Sequence, residues 1–258
     1  MTRSDDPTVG KARRVRKVFT DRNGGASAEP FGTFNLGDHV GDDLVAVAAN
    51  RERLSSLLGV DLVFMEQIHS PNVTEVTAAT VAGNAGEAGT DSANGTGITV
   101  ETTDALITTV PRVGLVVLTA DCVPLLLSDE DAGVIAAVHA GRMGARNGIV
   151  RRTVDRMEQL GAIPANIHVL MGAAASGANY EVPDAMAADV ESKLPGSKTR
   201  TSKGTTGLDI RAGLTRQLLS MGVRSIDADP RCTIESPNFF SYRREGKTGR
   251  QAGVVWME

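Results

Sequence analysis

Residues 114–129 read GLVVLTADCVPLLLSD. Apolar residues fill this run with almost no alternation, the pattern of a strand buried on both faces. The segments LVFMEQIH (62–69), NVTEVT (72–77), DALITT (104–109) and GVIAAVHAG (133–141) are similar, each bounded by turn residues. Strands of this kind require further layers on either side, so the fold is built on a covered sheet. RRVRKVFTD (13–21) alternates with period two and predicts a strand before NGG.

Helical spacing appears between the strands. DDLVAVAANRERLSSLLG (42–59) has a cap in Asp42 or Asp43 and a stop in Gly59. NGIVRRTVDRMEQLG (147–161) places Ile149, Val150, Val154, Met157 and Leu160 on one stripe, with Asn147 as its cap. PDAMAADVESKL (183–194) starts at Pro183, and LDIRAGLTRQLLSMG (208–222) runs from a cap at Asp209 to Gly222. These helices alternate with strand candidates NIHVLM (166–171), VRSID (223–227) and RQAGVVWM (250–257), which makes the chain α/β.

The 258 residues can bury a large core, and 41% apolar with 22% charged residues is a globular composition. A net charge of −4 gives no broad footprint for nucleic acid. The basic KARRVRK (11–17) reads as a strand edge or arm. No apolar leader opens the chain and no apolar window of about 18 residues marks a membrane span, so a cytoplasmic protein is expected. Two cysteines, Cys122 and Cys232, are expected as free thiols, Cys232 as a small buried residue. AGNAGEAGTDSANGTG (82–97) lacks the Gly-Lys-Ser/Thr ending of a phosphate loop and reads as a flexible insertion.

The chain has four histidines. His69 and His139 end apolar strand candidates, and Cys122 occupies a comparable place, where α/β sheets expose functional side chains. If they converge, two imidazoles and a thiolate make a three-ligand zinc site whose fourth position is open to water or substrate. Three buried core residues are the alternative. His168 reads as a hydrogen-bonded core histidine, and His39, among turn residues and acids, as a solvated one. In CTIESPNFFSYRREGKTGR (232–250), Arg243, Arg244 and Arg250 stand beside Phe239, Phe240 and Tyr242. Guanidinium forks suit phosphate, and aromatic faces suit a base.

FTDRNGGASAEPFGTFNLGDHVGDD, MEQIHSPNV, TDALIT, TADCVPLLLSD, AVHAG, YEVP, LDI and the arginine segment follow one another in an order that resembles the YfiH-type laccase-domain family. It is also called the polyphenol oxidase or purine nucleoside phosphorylase family. The resemblance runs from about residue 15 to the C-terminus. It implies one domain over 15–258, an α/β/β/α sandwich, after a flexible arm at 1–14. It implies zinc held by His69, Cys122 and His139, these residues also being the catalytic set. It implies phosphorolysis of adenosine, inosine, guanosine and methylthioadenosine, with adenosine deamination. Arg243 and Arg244 are candidates for phosphate, and Asn35 and Gln67 for polar contact with substrate.

Two departures from the family pattern stand out. HAGRMG (139–144) replaces the usual His-Ala-Gly-Trp-Arg-Gly, leaving Arg142 or Arg146 to substitute for the family's arginine. GAAASGANYEV (172–182) replaces a Gly-Pro-x-Ile segment. A multicopper oxidase is excluded by count, since four histidines without a His-x-His pair cannot furnish its copper sites. A Cys-His hydrolase or deamidase with Cys122 as nucleophile, and a non-catalytic binding protein, are the alternatives. Asp121 and Glu66 neighbour the ligands, but strand alternation points them away.

Overall fold

Asp121 divides the run at 114–129 into two strands that belong to different sheets. Its φ of 92° turns the chain sharply between Thr119 and Val123. A computed structural model describes residues 14–82, 90–91 and 97–258. The expected arm, apart from Arg14, and most of the 82–97 insertion lie outside the described residues.

In chain order the strands are β1 (Val15–Phe19), β2 (Asp61–Met65), β3 (Val73–Glu75), β4 (Thr90–Asp91), β5 (Ile98–Val100), β6 (Ala105–Thr108), β7 (Val113–Thr119), β8 (Val123–Asp129), β9 (Val134–Ala140), β10 (His168–Met171), β11 (Lys198–Arg200), β12 (Thr206–Leu208), β13 (Ser225–Ala228) and β14 (Gln251–Met257). The helices are α1 (Leu44–Leu58), α2 (Ala78–Val81), α3 (Arg142–Arg146), α4 (Ile149–Gln159), α5 (Asp184–Lys193), α6 (Ile210–Ser220) and α7 (Tyr242–Glu245). One sheet has the order β1-β14-β7-β2-β5-β4 and the other β13-β10-β8-β9-β6-β3. Both are mixed: β7 is antiparallel to β14 and parallel to β2, while β10 is antiparallel to β8 and parallel to β13.

Alternation along the central strands builds the layers. Leu115 and Val117 of β7 meet Leu126 of β8 and Ile135 of β9 between the sheets. Val116 and Leu118 face outward with Leu54 of α1. Leu125 and Leu127 of β8 pack under Val154 of α4, Val190 of α5 and Leu214 of α6. Each such fully buried aliphatic side chain contributes roughly 1.5–3 kcal/mol. Helix, sheet, sheet and helix stack as the expected α/β/β/α sandwich.

Helix ends follow local chemistry. Asp43 accepts a hydrogen bond from Val45 N, and Gly59, at φ 67°, closes α1. Asp209 accepts one from Ala212 N at the start of α6. Asn147 does not cap α4 as expected. It ends the short α3, and Gly148 precedes α4 at φ 85°, a conformation that favours glycine. The apolar stripe marks α4 alone because α3 is only five residues long.

His168 is not a core residue. Val169 and Met171 face the helices, so His168 faces the gap between the sheets. There Lys17 Nζ reaches from β1 to His168 Nδ1 and to its carbonyl, both at 2.8 Å, while His168 Nε2 lies 2.9 Å from Asp227 Oδ2. Burial, the largest influence, draws the Lys17 ammonium down to about 7, against Glu130 and Asp227. Between that value and the ordinary 10.5 the unfolded chain holds the extra proton, so stability rises with pH across this window. Lys17→Met is expected to remove a slope of up to about 1.4 kcal/mol per pH unit. Denaturant unfolding of both proteins at pH 7 and 9 measures it, and equal slopes would contradict the assignment.

Candidate metal centre and its two chambers

The three expected ligands meet at one end of the gap between the sheets. His139 lies in β9 opposite Pro124 of β8, on the side of Ile135 and Ala137 that faces the other sheet. Cys122 immediately precedes β8. His69 sits in the loop after β2 with φ 59°, an uncommon conformation for a residue with a Cβ. Nitrogen and sulfur atoms of the three residues lie within 4.8 Å of one another and could hold a metal ion. Cys122 Sγ is 3.8 Å from His69 Nε2, and the two imidazoles meet edge to face at 4.7 Å.

One buried carboxylate sets this geometry. Asp104 accepts hydrogen bonds from Ile68 N at 3.3 Å, His69 N at 3.0 Å, Ser70 N at 2.6 Å and Ser70 Oγ at 2.7 Å. Its Oδ1 also lies 2.8 Å from His139 Nδ1. A carboxylate can only accept, so Nδ1–H donates and Nε2 is left for the cluster. Burial, the largest influence, favours the Asp104 acid, but hydrogen bonds from His139 and Ser70 hold its pKa below the usual range.

Without metal, Cys122 and His139 charge each other. Burial is the strongest influence on each and opposes ionisation. For Cys122 it is outweighed by the His139 charge and by hydrogen bonds from His139 and His69, which bring the thiol down to about 6. For His139 the thiolate and Asp104 outweigh it and push the imidazole up to about 9. Gly141 gives the cluster room: a Cβ there would lie 2.6 Å from His69 Cδ2 and 3.0 Å from Cys122 Sγ.

Two chambers open on the cluster, with Ala120, Cys122 and Tyr242 forming walls of both. The first, of about 340 Å³, adds His69, His139, Thr119 and Arg250. The second, of about 150 Å³, adds Tyr180, Arg142, Arg243 and an apolar wall that includes Ala175 and Ile210. The first falls in the range of about 300–1,000 Å³ usual for small-molecule clefts, and the second is smaller. Asp121 borders the second chamber, but its carboxylate accepts from Thr233 Oγ1 at 2.6 Å and Arg243 N at 2.7 Å, which fixes the turn presenting Cys122. Strand alternation does not govern it, because it lies between strands.

The remaining expected residues divide sharply. Gln67 borders the first chamber, yet both ends of its amide bind the Leu118 backbone. Asn35 is fully buried, and its amide binds Gly37, Asp42 and Arg250 N. Arg244 donates to the carbonyls of Thr233, Ile234, Ser236 and Phe239 and pairs with Glu245, so its fork is spent within the fold. Arg243 stays at the second chamber, 5.0 Å from the Tyr180 ring centroid. Arg146 is held by Asp189 at 2.6 and 2.7 Å, so of these two arginines it is Arg142 that lines the cleft. Phe239 and Phe240 are core residues, whereas Tyr242 is exposed. His39 is exposed as expected and also borders the first chamber. Cys122 and Cys232 are free, and Cys232 is buried.

Sequence reasoning missed Asp104, Thr119 and Tyr242 as a wall of both chambers. Asp104 begins DALITT, and an acid that starts an otherwise apolar buried strand was the available signal.

Two facing mixed sheets between helical layers, with an open His-Cys-His cluster bordered by two chambers, define a class of sandwich protein with a candidate metal centre. The chain belongs to the family described as multi-copper polyphenol oxidoreductase laccase, whose model matches residues 16–258. A purine nucleoside phosphorylase of Corynebacterium glutamicum is 65% identical over 248 residues, covering 95% of each chain. One of Mycobacterium tuberculosis is 51% identical, covering 95% of this chain and 93% of its own. The structure of Bacillus licheniformis YfiH superimposes with a TM-score of 0.83 at 30% identity, covering 95% of this chain and 93% of that one. Despite the family's description, the described residues offer one cluster, and His168 is committed to Lys17 and Asp227.

Proposed function

We propose that this protein is a zinc-dependent purine nucleoside phosphorylase acting on adenosine, inosine, guanosine and methylthioadenosine, with adenosine deamination as a second reaction. The observation that carries the reading is an open two-imidazole, one-thiolate cluster beside an arginine without a carboxylate partner. Arg250 is partly buried, donates to the carbonyls of Thr248 and Gly249, and has no carboxylate at ion-pair distance among the described residues. Burial, the largest influence, draws its pKa down against the charges of Cys122, Asp121 and Tyr242. A half-buried guanidinium without a counter-ion suits phosphate. The names of the relatives support the same substrate class.

His69, Cys122 and His139 would hold the zinc, since a borderline-soft ion accepts nitrogen and thiolate together and three protein ligands leave one position open. When bound, zinc supplies a Lewis acid that polarises an oxygen of the substrate. Arg250 orients phosphate in the first chamber towards the ribose C1′. Tyr180, Tyr242 and the apolar wall of the second chamber take the purine, and Arg243 faces the base as charge develops on it. The phosphate oxygen forms its bond to C1′ as the bond to the purine nitrogen breaks. The unpaired thiols suit a cytoplasmic, reducing setting.

Adenosine incubated with phosphate is expected to give adenine and ribose 1-phosphate by chromatography, and inosine where deamination contributes. Appearance of none of these would overturn the reading. Arg250→Gln is expected to raise KM for phosphate by about 10–100-fold, the effect of losing a hydrogen bond to a charged partner. Arg244→Gln is expected to lower Tm instead, leaving that KM near its original value.

A second reading is favoured by the thiol itself. A Cys122 pKa of about 6 beside His139 is the state of a cysteine nucleophile. Metal-free protein that hydrolyses an amide and is stopped by a thiol alkylator would favour this Cys-His hydrolase.

A further inference from the structure

Thr119 ends β7 on the face that Leu115 and Val117 present to the opposite sheet. Thr119 is 2% exposed, and its buried hydroxyl has no hydrogen-bond partner among the described residues. Buried hydroxyls are nearly always paired, and an unpaired one at the wall of a cleft marks a place where another molecule supplies the partner. Thr119 borders the first chamber together with His69, His139 and Arg250. The β7–β14 register sets Thr119 opposite Gln251, the first residue of β14, and Arg250 immediately precedes it.

We propose that Thr119 Oγ and the Arg250 guanidinium form one oxyanion subsite, in which the threonine hydroxyl donates to a phosphate oxygen. The proposal rests on the phosphorylase reading and adds to it the residue that fixes the phosphate's orientation. A guanidinium supplies charge and a planar fork but tolerates rotation of the anion about it. A second donor from a rigid central strand removes that freedom. Two neighbouring polar groups are engaged elsewhere: Gln67 holds Leu118, and His139 Nδ1 is held by Asp104.

Thr119→Val keeps the shape and removes the hydroxyl, while Thr119→Ser keeps the hydroxyl. Thr119→Val is expected to raise KM for phosphate about tenfold, with KM for the nucleoside unchanged within about twofold. Thr119→Ser should stay near the original protein in both, and metal content should be equal in all three. Metal-free Thr119→Val is expected to melt at or above the temperature of the metal-free original, because an unpaired polar group has been removed. An unchanged phosphate KM, or a metal-free Thr119→Val that melts several degrees lower, would overturn the proposal. Inorganic phosphate alone, added without nucleoside, provides an independent readout. It is expected to raise Tm of the original protein and to raise that of Thr119→Val less. If that difference appears but no nucleoside is cleaved, the subsite stands and the phosphorylase reading falls. If phosphate shifts both proteins equally, or neither, the subsite falls whatever the activity.

Discussion

Cys122→Ala is expected to fold, to hold no stoichiometric zinc and to lose phosphorolysis by about a thousandfold or more. Cys122 is a small, partly exposed side chain in a connection between sheets, so little packing goes with it. What goes is the only thiolate of the cluster and the partner that keeps His139 charged in the metal-free protein. The His139 imidazole is then expected to titrate well below its value of about 9. Two opposite pH dependences follow for the metal-free original. The thiol's stabilising contribution is complete above its ordinary value of 9.0 and is lost as pH falls to about 6. The imidazole's contribution is complete below 6.5 and is lost as pH rises to about 9. The two run in opposite directions over the same window and largely offset each other in stability, so the imidazole itself is the sharper readout. An NMR titration of metal-free His139 is expected to move down in Cys122→Ala, and an unchanged titration would contradict the pairing.

Asp104→Ala is expected to be the most damaging change outside the ligands. It leaves the donors of Ile68, His69, Ser70 and His139 without their acceptor. The His69 loop loses its anchor, and the His139 ring loses the bond that selects its orientation. Loss of one partner from a buried hydrogen-bonded charge pair costs about 3–5 kcal/mol, and loss of a carboxylate behind a ligand histidine weakens metal affinity about 10–100-fold. Asp104→Asn keeps the shape but turns an NH₂ group towards donors, so an intermediate loss is expected. Competition with a chelator, read beside denaturant unfolding, separates the two effects. Unaltered metal affinity in Asp104→Ala would show that the ligands need no such support.

The layers were legible because they are written in periodicity. The doubly buried runs at 114–129 and 133–141 announced a covered sheet, and the stripe of Ile149, Val154 and Met157 announced a helix above it. His69, Cys122 and His139 could be singled out as rare residues at strand ends. What periodicity cannot encode is partnership. The run at 114–129 stays apolar across its crossover because both sheets are buried, so the turn at Asp121 leaves no break in hydropathy. Asp104 is one of 31 acidic residues, and only the meeting of β6 with the His69 loop distinguishes it. Arg243, Arg244 and Arg250 carry the same group within one short segment. Five backbone and side-chain acceptors occupy Arg244, whereas Arg250 has no counter-ion among the described residues. Asn35 likewise reads as a polar candidate until its fully buried amide is found holding Gly37 and Arg250 in place.

Elemental analysis of the purified protein beside Cys122→Ala, with adenosine phosphorolysis assayed on the same samples, bears most directly on the zinc centre. About one zinc per chain in the original protein and none in the variant, with activity following the metal, is the expected result. A protein without zinc that still turns over, and that a thiol alkylator inactivates, would contradict it and make Cys122 the nucleophile.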